Sequence, residues 1–268
     1  LAPQGRARKV SGGWRVEGRW QFGSGVDHGP WLLMGALTEG DDAPVPAIHV
    51  VVPTEAVIVD DTWFTLGMRG TGSKDLVAEG VFVPDHRAMP TRELFRGDFE
   101  GEVGPLFRLP VMGGLASMLA GNLVGITRSG FEHFVTETRA RTEVYTGAAK
   151  GAKASMQMRI AESLGEIEVA EMLVEKNCEL LDSAMERNTP PVERDTAAAL
   201  RWNAAYACEL CRRATDRIYA AAGANAARDD SRTQRWFRDV NTACHHAIVD
   251  FDGLLEARGR LLTGLSPG

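Results

Sequence analysis

The chain has 268 residues, 44% of them hydrophobic and 25% charged, with a formal net charge of -6. That length accommodates two domains or one large one, the acidic balance gives little support to a partner bound by phosphate neutralisation, and no apolar run is long enough to cross a bilayer. The four cysteines, Cys178, Cys208, Cys211 and Cys244, all fall in helix-like segments, a usage that suits a reducing cytoplasm.

The first residues, LAPQGRARKV, start without methionine and read as the interior of a longer protein, so an N-terminal part is expected to precede them. From residue 10 to about 90, short alternating runs are separated by Gly, Pro, Asp and Ser: WRVEGRWQF, WLLMGAL, AIHVVVP, AVIVDDTW and LVAEGVFVP. These are strand and turn signals, and their spacing predicts an antiparallel barrel or sandwich of roughly six to eight strands. After Pro110 the texture becomes helical. Helices are expected near 110–140, 153–188, 194–222 and 233–252, divided by VYTGAAKG, TPPVE and GANAARDDS. The predicted architecture is α+β: a β domain over residues 1–105, then a four-helix bundle over 106–268.

GRWQFGSGVDH (18–28) carries more glycine than a strand connection needs. The glycines flanking Ser24 allow a ligand to approach the backbone. Strand alternation places Trp20 and Phe22 on one face, and an aromatic wall beside a hydroxyl suits a planar heterocycle; a bulged edge strand is the plain alternative. GMRGTGSKD (67–75) has the wrong spacing for a phosphate-binding loop and reads as a glycine turn between strands. Cys208-x-x-Cys211 is half of a zinc spacing, with Cys244 and His245 or His246 as the only further ligands, but thiols packed between helices are the more economical reading. His245 and His246, adjacent on a predicted helix, point about 100° apart, so at most one of them faces a given cleft.

Three stretches carry a resemblance: GGWRVEGRWQFGSGVDHGPWLLMGA, DDTWFTLGMRGTGSKDLVAEGVFVPDHR and WFRDVNTACHHA. In order and spacing they resemble the oxygenase components of two-component flavin-dependent monooxygenases with the acyl-CoA dehydrogenase fold. That family has an N-terminal helical domain, which lines the substrate pocket, then a β domain and a helical bundle; this chain matches the last two. The resemblance implies a homotetramer, reduced FMN or FAD delivered by a separate NAD(P)H:flavin reductase, and O2. It implies a C4a-hydroperoxide that hydroxylates a small aromatic, phenolic substrate. Ser24 is then expected near flavin N5 and C4a, with Gly25 at the ligand. Trp20 and Trp63 would flank the ring, Thr71 and Ser73 would line the same cleft, and Arg139 or Arg141 would meet the phosphate. His246 would contact the peroxide or deprotonate the substrate. Many acyl-CoA dehydrogenases of the same fold carry a catalytic glutamate at a fixed distance after an Arg-Asp pair; counted from Arg238-Asp239, that position is His246-Ala247, with no carboxylate. An acyl-CoA dehydrogenase and a non-catalytic fragment are the competing readings.

Overall fold

The computed structural model describes residues 2–40, 45–97, 99, 101–187 and 194–266. They form two compact units, one of residues 1–65 and 69–111, the other of 66–68 and 112–268. The boundary thus falls a few residues beyond the expected position 105, and three residues from the middle of the β region belong with the helices.

The first unit is one seven-stranded sheet of β1 (Pro3–Val10), β2 (Gly13–Gly23), β3 (Trp31–Glu39), β4 (Ala47–Pro53), β5 (Ile58–Asp60), β6 (Lys74–Pro84) and β7 (Ala88–Pro90), followed by a short helix α1 (Thr91–Arg96). The strand order is β5-β6-β2-β1-β3-β4-β7. Two expectations are corrected. The sheet is mixed rather than antiparallel, because β1 pairs parallel to β3 while pairing antiparallel to β2. And β1, whose PQGRARKV lacks an apolar run, occupies a central position that its sequence does not advertise.

Alternation within the strands explains the core. Val16 and Trp20 on β2, Leu32, Met34 and Ala36 on β3, and Ile48, Val50 and Val52 on β4 turn to one buried face. With Trp14, Trp20 is one of its two tryptophans and is 5% exposed. Its indole N–H donates to the carbonyl of Gly35 (2.6 Å), which satisfies the one polar atom it buries. Gly5 on the neighbouring strand makes room for it: a Cβ there would lie 1.9 Å from the indole ring.

The second unit contains α2 (Val111–Ala140), α3 (Ala154–Arg187), α4 (Arg194–Ala222), α5 (Arg232–Cys244) and α6 (Phe251–Leu262). The expected last helix, 233–252, is two helices: the chain leaves α5 at His245, makes a 3-10 turn over Ala247–Val249 and re-enters helix at Phe251. Close approach is achieved with small residues, as where Gly113 of α2 meets Leu200 of α4. A buried polar knot ties α2, α3 and α4 together. Asn177 donates to Ser117 Oγ and to the Leu200 carbonyl, and Asn203 donates to Asn177 Oδ1 (2.8–2.9 Å). Cys208 and Cys211 pack in this core, and the Cys244 thiol donates to the Cys208 carbonyl. Burial pushes Cys211 and Cys244 up to about 12, so both stay protonated at neutral pH.

Residues 66–68 join this unit through the Arg238-Asp239 pair. Arg238 Nη1 donates to the Leu66 carbonyl (2.9 Å), and Asp239 Oδ1 accepts the Met68 N–H (2.7 Å). Met68 is left-handed there, with φ 53. Between them Gly67 lies so close to α5 that a Cβ would sit 2.1 Å from the Arg238 carbonyl oxygen, which is backbone and cannot move aside. Gly67→Ala is therefore expected to destabilise the protein by about 1–3 kcal/mol, the usual range for overpacking. Urea unfolding checks this, and an unchanged midpoint would show that the segment is not clamped.

Candidate functional site

In the first unit, the candidate site begins where β2 stops being regular. The β2–β6 register shifts between Trp20 and Gly23. Phe22 takes φ 61, a left-handed conformation rare for a bulky residue. This reverses the expected pleat. Trp20 and Phe22 do not share a face: Trp20 lies in the core, while Phe22 is 64% exposed and packs edge-to-face on Trp63 with ring centroids 6.1 Å apart. Trp20 is thus corrected from a ring-flanking residue to an anchor, and Phe22 takes its place on the surface.

Two residues on, Ser24 shares a hydrogen bond with Ser73 Oγ (2.8 Å), and Ser73 shares another with Thr71 Oγ1 (2.8 Å). The three hydroxyls form a chain with its middle member buried and Ser24 exposed. When Ser73 donates to Ser24, the Ser24 proton turns outward as a donor. Gly25, left-handed at φ 79, gives its N–H to the Thr71 carbonyl (3.2 Å) and so joins the two loops through the backbone as well. Lys74 pairs with Asp27 across the same junction (3.0 Å). The loop expectations for Ser24, Gly25, Thr71 and Ser73 therefore meet in one place, with Trp63 beside Phe22.

The second unit carries two groups. His246 caps the 3-10 turn after α5, and its Nδ1 accepts the Ile248 N–H (3.1 Å). It is outside any α-helix, so the 100° argument that separated it from His245 does not apply; His245 is the exposed cap of α5. Desolvation of the ring lowers its pKa below the ordinary 6.5. An accepting Nδ1 requires the neutral ring with its proton on Nε2, so His246 presents a donor.

The other group surrounds a cavity of about 550 Å³ lined by His133, Glu137, Arg141, Arg228, Asp230 and Arg232, among others. Arg141 and Lys150 both donate to the Ala222 carbonyl near the C-terminal end of α4 (3.2 Å each), where the helix dipole favours cations. Burial, then the neighbouring Arg141 charge, lowers the Lys150 pKa. Arg139 is exposed on the last turn of α2 and does not line the cavity. Arg228 and Arg232 were missed in the sequence because one sits in the loop between α4 and α5 and the other at the start of α5, with no motif to mark them.

Comparison with known proteins gives these features a context. Residues 117–251 match the acyl-CoA dehydrogenase C-terminal domain. A pigment production hydroxylase of a Rhodococcus species is 32% identical over 98% of this chain and 68% of its own length. The chain belongs to the oxygenase components of the flavin-dependent monooxygenases. The oxygenase component of p-hydroxyphenylacetate 3-hydroxylase from Acinetobacter baumannii is also 32% identical, over all of this chain and 64% of that protein. Among solved structures, XiaF from a Streptomyces species in complex with FADH2 and glycerol superposes with a TM-score of 0.92 at 28% identity, covering all of this chain and 68% of that one. This chain thus spans between 64% and 68% of the length of these relatives.

Two measurements address the geometry directly. In an NMR titration, the His246 ring, assigned by its loss in His246→Asn, is expected to titrate below pH 6.5. The neutral folded form then dominates above that pH, and acidification through 6.5 destabilises the fold, because the unfolded chain takes up the proton first. Titration at or above 6.5 would contradict the accepting Nδ1. Ser73→Ala, which frees both Ser24 and Thr71 from their shared partner, is expected to weaken flavin binding about 2- to 10-fold; unchanged affinity would show that the hydroxyl chain positions nothing.

Proposed function

We propose that this chain is the oxygenase part of a two-component system that hydroxylates a small aromatic, phenolic substrate with reduced flavin and O2. The observation that carries the reading is the joining, at one irregular point of β2, of an exposed aromatic pair and a hydroxyl chain, in a protein whose relatives are flavin-dependent oxygenases. The residues suit a flavin. Phe22 and Trp63 offer apolar surface to its ring, Ser24 offers a hydroxyl to its polar edge, with Thr71 and Ser73 holding Ser24. Arg141 and Arg232 offer planar donors that match phosphate oxygens. A cavity of this size and charge also suits the anionic tail of FAD, the flavin named with XiaF, as well as the single phosphate of FMN.

The bound reduced flavin would supply the activation of O2 and the oxygen atom that is transferred. The chain's own contribution is binding, orientation and proton placement. In the first unit Ser24 offers a hydroxyl to the ring edge; in the second, His246 offers its Nε2 proton as a donor rather than removing a proton, because its other nitrogen is already engaged. Reduced flavin comes from a separate NAD(P)H:flavin reductase, consistent with the term "oxygenase component" in the name of one relative. A homotetramer in the cytoplasm is the assembly and location that go with this reading.

The test supplies chemically reduced flavin, a phenol and 18O2 to the protein without any reductase. One oxygen atom appears in the hydroxylated phenol and the other in water, with one reduced flavin oxidised per product. Oxidation of flavin that yields hydrogen peroxide alone, or reduction of bound oxidised flavin by an acyl-CoA under nitrogen, would overturn the reading.

A further inference from the structure

The turn that carries Thr71 and Ser73 has little apolar anchorage of its own. Its 3-10 segment Arg69–Thr71 buries no residue, and glycines stand on both sides of Thr71. The loop it meets is anchored differently. Val26 is buried in the core of the sheet, and Thr54 holds the end of the loop, its Oγ1 donating to the Gly29 carbonyl (2.7 Å) and its N–H to the Pro30 carbonyl (2.9 Å). The loop is therefore the fixed partner, and the turn takes its position from the bonds it makes to the loop.

One of those bonds is ionic. Lys74, which follows Ser73 and opens β6, donates from Nζ to Asp27 Oδ1 (3.0 Å). The other carboxylate oxygen lies against the turn itself: a Cβ on Gly72 would sit 2.8 Å from Asp27 Oδ2. Gly72 is left-handed at φ 51, and its carbonyl accepts the Lys74 N–H (2.7 Å), so the turn folds around the carboxylate. The hydrogen bond to Asp27 raises the Lys74 pKa above its ordinary 10.5, which keeps the ammonium charged at neutral pH. Asp27 lies three residues after Ser24 and Lys74 one residue after Ser73. The ion pair thus spans the same gap as the Ser24–Ser73 hydrogen bond, with Ser73 buried and Asp27 exposed to solvent.

We propose that Asp27 and Lys74 are positioning residues, whose ion pair clasps the turn to the loop and so sets the Ser24–Ser73–Thr71 hydroxyls for the proposed reaction. An exposed pair of this kind is screened by salt, so the clasp loosens as ionic strength rises. Its consequence for catalysis rests on the reading of the chain as an oxygenase. With the hydroxyls loosened, more of the reduced flavin passes two electrons and two protons to O2 as hydrogen peroxide, and less of the oxygen reaches the phenol.

The test is hydrogen exchange at the Gly25 N–H, which donates to the Thr71 carbonyl across the same gap. In Lys74→Met its protection is expected to fall about 2- to 5-fold, the range for an exposed ion pair, while the slowest amides of β3 and β4, which report unfolding of the whole unit, keep theirs. Lys74→Arg should stay near the unmodified protein. Added salt should lower Gly25 protection in the unmodified protein but not in Lys74→Met. Protection in the unmodified protein that does not respond to salt overturns the proposal whether or not any variant folds. So does unchanged protection in Lys74→Met, or a loss shared equally by the β3 and β4 amides. Given reduced flavin, a phenol and O2, Lys74→Met should release more hydrogen peroxide per hydroxylated product than Lys74→Arg, and an equal ratio would overturn the positioning role. Because the exchange measurement consumes neither flavin nor oxygen, it is independent of the 18O2 experiment: a salt-sensitive clasp in a protein that transfers no oxygen would leave the ion pair standing and refute the activity.

Discussion

The burial of Trp20 is the constraint on which the candidate site depends. An indole that fills the core and spends its N–H on the Gly35 carbonyl cannot also face a ligand. The chain leaving it must nevertheless reach Ser73 within four residues. Regular pleating would send Phe22 after Trp20 to the same side. The register shift and the left-handed Phe22 resolve the conflict by turning the second aromatic outward, where it meets Trp63. A non-glycine residue in that conformation costs on the order of 1–3 kcal/mol, and such strain persists where the surroundings impose it. Here they do so from both sides, through the indole behind and the Ser24–Ser73 bond ahead.

The helical unit shows a different economy. Many of its charges are neutralised in pairs, and the polar side chains of Ser117, Asn177 and Asn203 satisfy one another in its core. Against that background, two departures stand out: the cation-lined cavity at the C-terminal end of α4, and the unpaired Arg201 near its beginning. Arg228 in the cavity pairs with Asp230, whereas Arg232 there and Arg201 form no ion pair among the described residues. His246, held neutral by desolvation and by the Ile248 N–H, adds a donor without adding charge.

Much of this was legible in the residues. Alternation located β2, β3, β4 and β6, and 3.6-residue periodicity located α2, α3 and α4 nearly to the residue. The glycines around Ser24 pointed to a loop that admits a ligand, and that loop does meet the turn carrying Thr71 and Ser73. The failures have identifiable causes. β1 is central but polar, since half its positions face away from the core, so no apolar run announced it. The break between α5 and α6 has no proline or glycine to mark it; His246 makes it with its own side chain. Phe22 was assigned to the face of Trp20 because alternation holds only while the register holds. Arg201 looks like any surface arginine on a helix until the absence of a partner among the described residues is seen.

The most direct test of this account is Phe22→Gly, read twice on the same preparation. Glycine accepts φ 61 without strain, so the protein should be at least as stable to urea as before. Removal of the exposed ring should weaken reduced-flavin binding about 2- to 10-fold, the range for loss of one aromatic contact. Retained stability with lost affinity is the predicted result. Flavin affinity equal to that of the unmodified protein would contradict the claim that the irregular point of β2 is built to present Phe22 to the flavin.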